Sequence, residues 1–541
     1  MPDQNLLQVN DLSIHFETIQ GRVQAVDGIS FSLKKGETLG IVGESGSGKS
    51  ITSLAIMGLL SKTAKMDRGE IVYQKKNGEM LHLENAEPCI FQQVRGSEMA
   101  MVFQEPMTSL NPVFCCGDQV LEAILTHQKI DKTVAKQRVI SLFQKVKLQE
   151  PERIYKSFPH QLSGGQRQRV MIAMALSCEP SVLIADEPTS ALDVTIQRSI
   201  LDLINELKRE LDGATIFISH DLKVVAEIAD RVLVMQNGKI VEQGPIDQVF
   251  NHPKEEYTKR LLKDSLGQES LQKRQKKEQQ PILQIRNLQT WFPQKKSFFG
   301  KTLQHVKAVD GVSFEVFEGE TLGLVGESGS GKTTLGRTLL HLQKPTGGEV
   351  IYNGQSLLEV PDNEWKSIRR DLQIIFQDPY SSLNPRQMVG PAIMEPMKVH
   401  GIGNNEQQRK QQAKELLLKV GLEEAHFWRF PKEFSGGQRQ RICIAKALAV
   451  RPRIIICDEC VSALDVTVQA KILALLKQLQ AEEKLTYLFI SHDLSVIRQI
   501  SDRVAVMQAG RIVELEEVTA IYNNPKNDYT RQLIEAIPGR K

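Results

Sequence analysis

The residues best able to do chemistry come in pairs. GESGSGKS at 43–50 and GESGSGKT at 326–333 both satisfy G-x-x-x-x-G-K-[ST], each with an apolar strand-like run before it and a helical run after it. The glycines let successive backbone N–H groups converge on phosphate oxygens, and a helix N-terminus adds a favourable dipole. This spacing sends Lys49 and Lys332 to the β- and γ-phosphates and offers Ser50 and Thr333 as hydroxyl ligands for Mg²⁺. Two acid pairs follow, Asp186–Glu187 and Asp458–Glu459, 137 residues after Lys49 and 126 after Lys332. The aspartate of each can hold the shell of the ion, and the glutamate can polarise a water in line with the γ-phosphate.

Three further pairs accompany these. SGGQ occurs as Ser163, Gly164, Gly165, Gln166 and as Ser435, Gly436, Gly437, Gln438; a serine and two glycines opening a helix make an anion nest. Gln104 and Gln377 follow short apolar runs and can swing an amide toward metal and water. FISHDL occurs at 217–222 and 489–494. Its adjacent Ser-His-Asp is not a hydrolytic triad, because neighbours in an extended strand point to opposite faces. His220 and His492 read instead as γ-phosphate hydrogen bonders at a strand end.

The elements that position these groups follow from local pattern. SVLIADEP and RIIICDEC are continuous apolar runs ending in acids, as expected of strands buried on both faces; ATIFISHD and LTYLFISHD are of the same kind. Alternating strands and helices predict α/β domains around a largely parallel sheet, with the ligand loops at the strand C-termini.

The whole arrangement is written twice. Ser163 to Ser435, Asp186 to Asp458 and His220 to His492 are all separated by 272, whereas Lys49 to Lys332 is 283. The first copy therefore carries about ten extra residues between its glycine loop and Gln104, read as a longer surface hairpin. Residues 264–280, DSLGQESLQKRQKKEQQ, contain no aromatic or β-branched residue and read as a polar linker. This predicts domains at 1–263 and 281–541. The chain has 541 residues, 41% of them hydrophobic, and a net charge of +3, which is far from a nucleic-acid-binding footprint. No apolar run is long enough to span a bilayer and the N-terminus lacks a secretory signal pattern. Seven thinly spread cysteines suit a reducing cytosol. The expectation is an intracellular chain that sits on a membrane only through a protein partner.

Taken together, these residues resemble the ATP-binding cassette (ABC) ATPases, with two nucleotide-binding domains fused in one chain. FQEPMTSLNP, FQDPYSSLNP and the tails HPKEEYTKRLL and NPKNDYTRQLI are similar to the peptide/nickel importer subfamily. The resemblance implies two tandem P-loop domains, each with a largely parallel sheet core, an antiparallel β subdomain and a helical subdomain. It implies ATP binding through Gly43, Ser45, Gly46, Gly48, Lys49, Ser50 and Ile51, and through Gly326, Ser328, Gly329, Gly331, Lys332, Thr333 and Thr334. Ser50, Gln104 and Asp186 would hold one Mg²⁺, and Thr333, Gln377 and Asp458 the other. Glu187 and Glu459 would be the catalytic bases, with His220 and His492 beside them. The adenine-stacking aromatics fall at Phe16 and Phe292, with Trp291 competing in the second copy. Both ATP sites would form within one chain, each glycine loop completed by the SGGQ of the other half.

The same resemblance implies an energy-coupling subunit on the cytoplasmic face of the inner membrane. It would serve two membrane permeases and, through them, a substrate-binding protein for short peptides such as glutathione, with no nucleic acid partner. Relatives with a C-terminal iron–sulfur cluster use four cysteines there; no cysteine follows Cys460, so no cluster is expected. The rival reading is a two-cassette ATPase acting on the ribosome, but such proteins carry a longer, strongly basic linker. A module with dead sites is disfavoured by the intact Lys, Asp, Glu and His of both copies.

One local oddity is CDECVSALDVT at 457–467, against ADEPTSALDVT at 185–195. A zinc site needs two more ligands and no second pair is near, so Cys457 and Cys460 read as substitutions in a second copy of the catalytic strand end. Replacing Pro188 by Cys460 removes a fixed φ and predicts a looser turn, and a slower site, at Glu459.

Overall fold

The structure, a computed structural model, describes residues 5–18, 21–104, 109–189, 192–210, 213–266, 280–296, 302–361, 364–462 and 464–537. The chain divides into two compact units, one built essentially on residues up to Leu266 and the other on residues from Gly267 to Ile537. Of the expected linker, 264–266 end a helix, Glu256–Leu266, and 267–279 lie outside the described residues.

In the first unit the strands are β1 (Asn5–Thr18), β2 (Gly21–Lys34), β3 (Thr38–Val42), β4 (Ala64–Gln74), β5 (Met80–His82), β6 (Met99–Val102), β7 (Val182–Asp186), β8 (Ala214–Ile218), β9 (Arg231–Gln236) and β10 (Lys239–Pro245). They form an antiparallel sheet β2-β1-β4-β5 and a core sheet β10-β9-β3-β8-β7-β6. All core pairings are parallel except β9 with β10. Every residue of β3, β7 and β8 is buried, which is why these segments read as unbroken apolar runs. One core cluster joins the antiparallel sheet to one side of the core sheet through Leu7, Tyr73, Ile56 and Ile184. The other packs the helices Cys116–His127, Lys132–Lys145 and Gly164–Ala175 on Val102, Leu183 and Phe217. These helices are the expected helical subdomain.

The second unit repeats the plan. Its strands are β11 (Pro281–Lys296), β12 (Thr302–Phe317), β13 (Thr321–Val325), β14 (Gly347–Tyr352), β15 (Gln355–Ser356), β16 (Leu372–Ile375), β17 (Ile454–Asp458), β18 (Thr486–Ser491), β19 (Arg503–Gln508) and β20 (Arg511–Glu517). The sheets run β12-β11-β14-β15 and β16-β17-β18-β13-β19-β20, the same order as in the first. The extra length of the first copy falls where a hairpin is expected: β4 to β5 spans 64–82, against 347–356 for β14 to β15. In both units the switch point lies at the central strand, β3 or β13, whose C-terminal end feeds the glycine loop.

Candidate functional site

Each glycine loop leaves its buried strand and enters a helix, Lys49–Ile56 or Lys332–Leu339. The residue before the helix has φ 101° at Gly48 and 105° at Gly331. A Cβ there would meet the Ala25 carbonyl oxygen at 2.6 Å, or that of Ala308 at 1.9 Å. Only glycine lets the chain turn this tightly against the neighbouring strand. Lys49 Nζ donates to the Gly43 and Glu44 carbonyls at 2.8 and 2.9 Å, and Lys332 Nζ to those of Gly326 and Glu327 at 2.7 and 2.9 Å. The ammonium is thus held by carbonyls of the glycine loop's own backbone. Burial pushes the Lys332 pKa below its ordinary value, against the pull of Glu459. Ser45 and Gly46 lie exposed on the first loop, and Ile51 follows Ser50 in the first helical turn; Ser328, Gly329 and Thr334 hold the matching places.

The hydroxyl and the aspartate meet as the spacing predicts. Ser50 Oγ donates to Asp186 Oδ1 at 3.1 Å and Thr333 Oγ1 to Asp458 Oδ1 at 3.0 Å. Burial raises the Asp186 carboxyl to about 6, the Ser50 bond only partly opposing it, and raises Asp458 for the same reason. A buried carboxylate beside a hydroxyl is a pair of hard oxygen donors. It suits Mg²⁺, which completes its shell with water and phosphate oxygens.

Each glutamate carboxylate is held by a glutamine and a histidine, on separate oxygens in Glu187 and on the shared Oε2 in Glu459. Gln104 Nε2 donates to Glu187 Oε2 at 2.7 Å and His220 Nδ1 lies 3.2 Å from Glu187 Oε1. In the second unit Gln377 Nε2 donates to Glu459 Oε2 at 2.8 Å and His492 Nδ1 lies 3.3 Å away. Burial acts to protonate Glu187, but the bond and charge of His220 outweigh it and the pKa falls below the ordinary carboxylate value; Glu459 behaves alike. Both imidazoles move the opposite way: burial disfavours their charged form, but the facing glutamate wins and raises them. The pair is therefore an ionised carboxylate against a histidine with a strengthened hold on its second proton. The glutamines, expected beside the metal oxygens, contact the glutamate through their amide nitrogen, leaving Oε1 to face elsewhere.

Pattern reading missed one property of these glutamates. Glu187 has φ 46° and Glu459 φ 49°, the left-handed region that costs a side-chain-bearing residue energy and that clusters at functional sites. The conformation is fixed by Glu187 N–H donating to the Ile218 carbonyl at 2.9 Å and Glu459 N–H to that of Ile490 at 3.0 Å. Glu459 keeps the φ and the strand bond of Glu187 although Cys460 stands where the first copy has Pro188. Cys457 and Cys460 are buried free thiols, and Ser462 Oγ adds a bond to the Glu459 carbonyl at 2.9 Å. The triad alternative at FISHDL is also closed. Ser219 Oγ accepts from Asp221 N–H, and Asp221 caps the next helix.

The SGGQ turns are helix starts, as predicted. Ser163 Oγ accepts from Gln166 N–H at 3.3 Å while Gln166 Oε1 accepts from Ser163 N–H at 3.0 Å; Ser435 and Gln438 repeat this box. Gly164 and Gly436 have room for a Cβ, but a Cβ on Gly165 would lie 2.7 Å from Ile196 and one on Gly437 2.4 Å from Val468. The second glycine of each pair is there for close helix packing. Strand register separates the aromatics. Phe16 pairs with Val23 on β2 and Phe292 with Val306 on β12, whereas Trp291 pairs with Lys307 in the place of His15 opposite Gln24. One face of the Trp291 ring is covered by Lys307 Nζ at 4.5 Å. Phe292, not Trp291, is thus the counterpart of Phe16. Neither copy's motif reading pointed to Tyr257 or Tyr529, whose hydroxyls accept from the Glu44 and Glu327 N–H groups at 3.1 and 3.0 Å.

Comparison with known proteins agrees with this geometry. The ABC transporter family matches residues 26–190 and 309–462, and the family described as the oligopeptide/dipeptide transporter C-terminal region matches 513–540. The glutathione import ATP-binding protein of Salmonella choleraesuis strain SC-B67 is 48% identical over 99% of this chain and 90% of its own. Its namesake from Escherichia coli strain K12 is 48% identical with the same coverage. A solved dimeric cassette in a post-hydrolysis state, bound to ADP and Pi, is 30% identical, covers 44% of this chain and 99% of its own, and has a TM-score of 0.40. With two complete sets of loop, acid pair, glutamine and histidine in one polypeptide, the chain belongs to the ABC transporter family, as a fused two-cassette ATPase of its peptide-importer branch.

Proposed function

We propose that this chain hydrolyses ATP to drive the import of short peptides, glutathione among them, from the cytoplasmic face of the inner membrane, where it docks on two permease subunits. The observation that carries the reading is the doubled clamp: Glu187 and Glu459 each have a glutamine amide and a histidine ring against the carboxylate, on separate oxygens in Glu187 and on the same Oε2 in Glu459. Both halves therefore have a working base, and one chain supplies two hydrolytic sites. The peptide substrate is supported by the relatives' names and by the C-terminal region match. Among the described residues no helix is long and apolar enough to cross a membrane, consistent with attachment through the permeases.

In this mechanism Lys49 and Lys332 offer their charge to the β- and γ-phosphates from within the glycine loop. Ser50 with Asp186, and Thr333 with Asp458, would hold Mg²⁺, with Gln104 and Gln377 as further oxygen donors. When bound, the ion neutralises phosphate charge. Glu187 and Glu459 take the proton of the attacking water. His220 and His492 hold the base in place and report the γ-phosphate. Because Gln104 and Gln377 precede the two SLNP segments in the sequence, a permease that moves those segments would change a direct ligand of the base.

The test is Glu187→Gln with Glu459→Gln in the chain reconstituted with its permeases. The double variant is expected to bind ATP with near wild-type affinity, to lose hydrolysis by at least about 100-fold, and to transport nothing. Ordinary turnover in the double variant sinks the mechanism. Recovery of the chain with ribosomes and not with permeases favours the translation reading.

A further inference from the structure

The tail after the last strand of each core sheet is built to the same plan in both halves, and no step described so far uses it. Glu242 on β10 accepts from the N–H groups of Lys254 and Glu255 at 2.8 and 3.2 Å. After β19, Glu514 on β20 accepts from those of Lys526 and Asn527 at 2.9 and 3.0 Å. Each carboxylate thereby fixes the start of a tail helix, Glu256–Leu266 or Asp528–Glu535. Tyr257, Leu261 and Leu262 pack into the same core cluster as Val42, which ends β3, while Tyr529, Leu533 and Ile534 pack with Val325, which ends β13. From that anchored helix the phenol reaches the glycine loop. Tyr257 Oη accepts from Glu44 N–H, and Tyr529 Oη from Glu327 N–H.

The bonded peptide units matter for what they hold on their other side. The carbonyls of Glu44 and Glu327 accept from Lys49 Nζ and Lys332 Nζ. The tyrosine therefore fixes a residue whose N–H is tied to the tail and whose C=O holds the phosphate-binding lysine. A glycine loop with three positive-φ glycines, Gly43, Gly46 and Gly48 in the first copy, needs such an external tie to keep its amides convergent. An alternative would be a salt link from the tail to the Glu44 side chain. Arg260 Nη2 does lie 3.4 Å from Glu44 Oε1, but the arginine is exposed, such a pair is worth little, and position 532 of the second copy is a glutamine. The hydroxyl-to-peptide bond is the part common to both.

We propose that Tyr257 and Tyr529 are positioning residues of the two ATP sites. Each tail helix, through one phenol, pre-organises the glycine loop of its own half, so that the state of the tail is read as ATP affinity. This rests on the ATPase reading of the loops, and the test separates the two. Tyr257→Phe, Tyr529→Phe and the double variant remove one oxygen each and leave the ring in the core. ATP and ADP titration calorimetry on the full chain is expected to show one weakened class of site in each single variant and two in the double. The weakening expected for one lost hydrogen bond is about fivefold. ATPase assays of the same variants should show KM raised by a similar factor with kcat changed less than twofold. Affinity within twofold of wild type in the double variant overturns the proposal. So does a fall in thermal stability and kcat at unchanged KM, which marks a merely structural tyrosine. Absence of ATP binding by the wild-type chain would instead refute the ATPase reading itself.

Discussion

Replacing Glu459 by glycine should leave a more stable protein than replacing it by alanine, the reverse of the usual order. Both variants delete the same carboxylate and leave Gln377 and His492 with the same loss, so their difference isolates the backbone. At φ 49° a Cβ costs about 1–2 kcal/mol. The greater freedom of glycine in the unfolded chain takes back about 0.4–1 kcal/mol. The net is about 1 kcal/mol in favour of glycine, or roughly 3 °C in Tm for a unit of this size. The control is Ala474→Gly, exposed in the middle of the helix Val466–Glu483, where glycine should instead lose about 1 kcal/mol. All three tryptophans, Trp291, Trp365 and Trp428, lie in the second unit, so tryptophan fluorescence during urea or thermal unfolding reports on the half that carries Glu459. Circular dichroism gives the same comparison for Glu187→Gly and Glu187→Ala. An alanine variant as stable as the glycine variant, or more so, would refute the strain argument at that position.

Three other outcomes are expected. Asp186→Asn should stabilise the protein in metal- and nucleotide-free buffer. A carboxyl raised to about 6 from 3.8 costs about 2–3 kcal/mol when ionised. That gain should be full above pH 6 and fade as pH falls from 6 toward 4; a gain constant with pH contradicts it. Phe292→Ala should weaken ATP binding by about 1 kcal/mol through lost stacking, and Trp291→Ala by much less; the opposite order in a titration would reverse the register assignment. Burial pushes the Cys443 thiol up to about 12 and Cys457 well above its ordinary value, so alkylation of the native chain at pH 8 should label exposed Cys89 and spare Cys443, Cys457 and Cys460. Early labelling of the 457/460 pair, read by peptide mass spectrometry, would restore a redox role.

The parts of the site that were legible in the sequence are those where one residue type at one spacing has one use. Lys49 with Ser50, Asp186 with Glu187, and the buried runs before them depend on strand–loop–helix order, which local pattern encodes. What the pattern could not show depends on a second segment far along the chain. The left-handed φ of Glu187 is held by the Ile218 carbonyl one strand away, and the register of β11 on β12 adds a structural ground for the preference for Phe292 over Trp291 that the sequence already carried. Gly165 reads as a ligand glycine in the sequence, and its packing against a helix that begins about thirty residues later could not be seen there. Tyr257 touches Glu44 across more than two hundred positions of sequence. It carries no motif that says so.

The matched backbones at Glu187 and Glu459 also bear on how the two copies have diverged. If proline had set the shape of that turn, its loss would have had to be answered elsewhere in the second half. Instead the shape is imposed from outside the turn, by a carbonyl on β8 or β18. Position 188, and with it 460, is thereby released from conformational duty, and what the two residues there share is burial. On that account the two cysteines can flank Asp458 and Glu459 without disturbing the backbone that presents those acids.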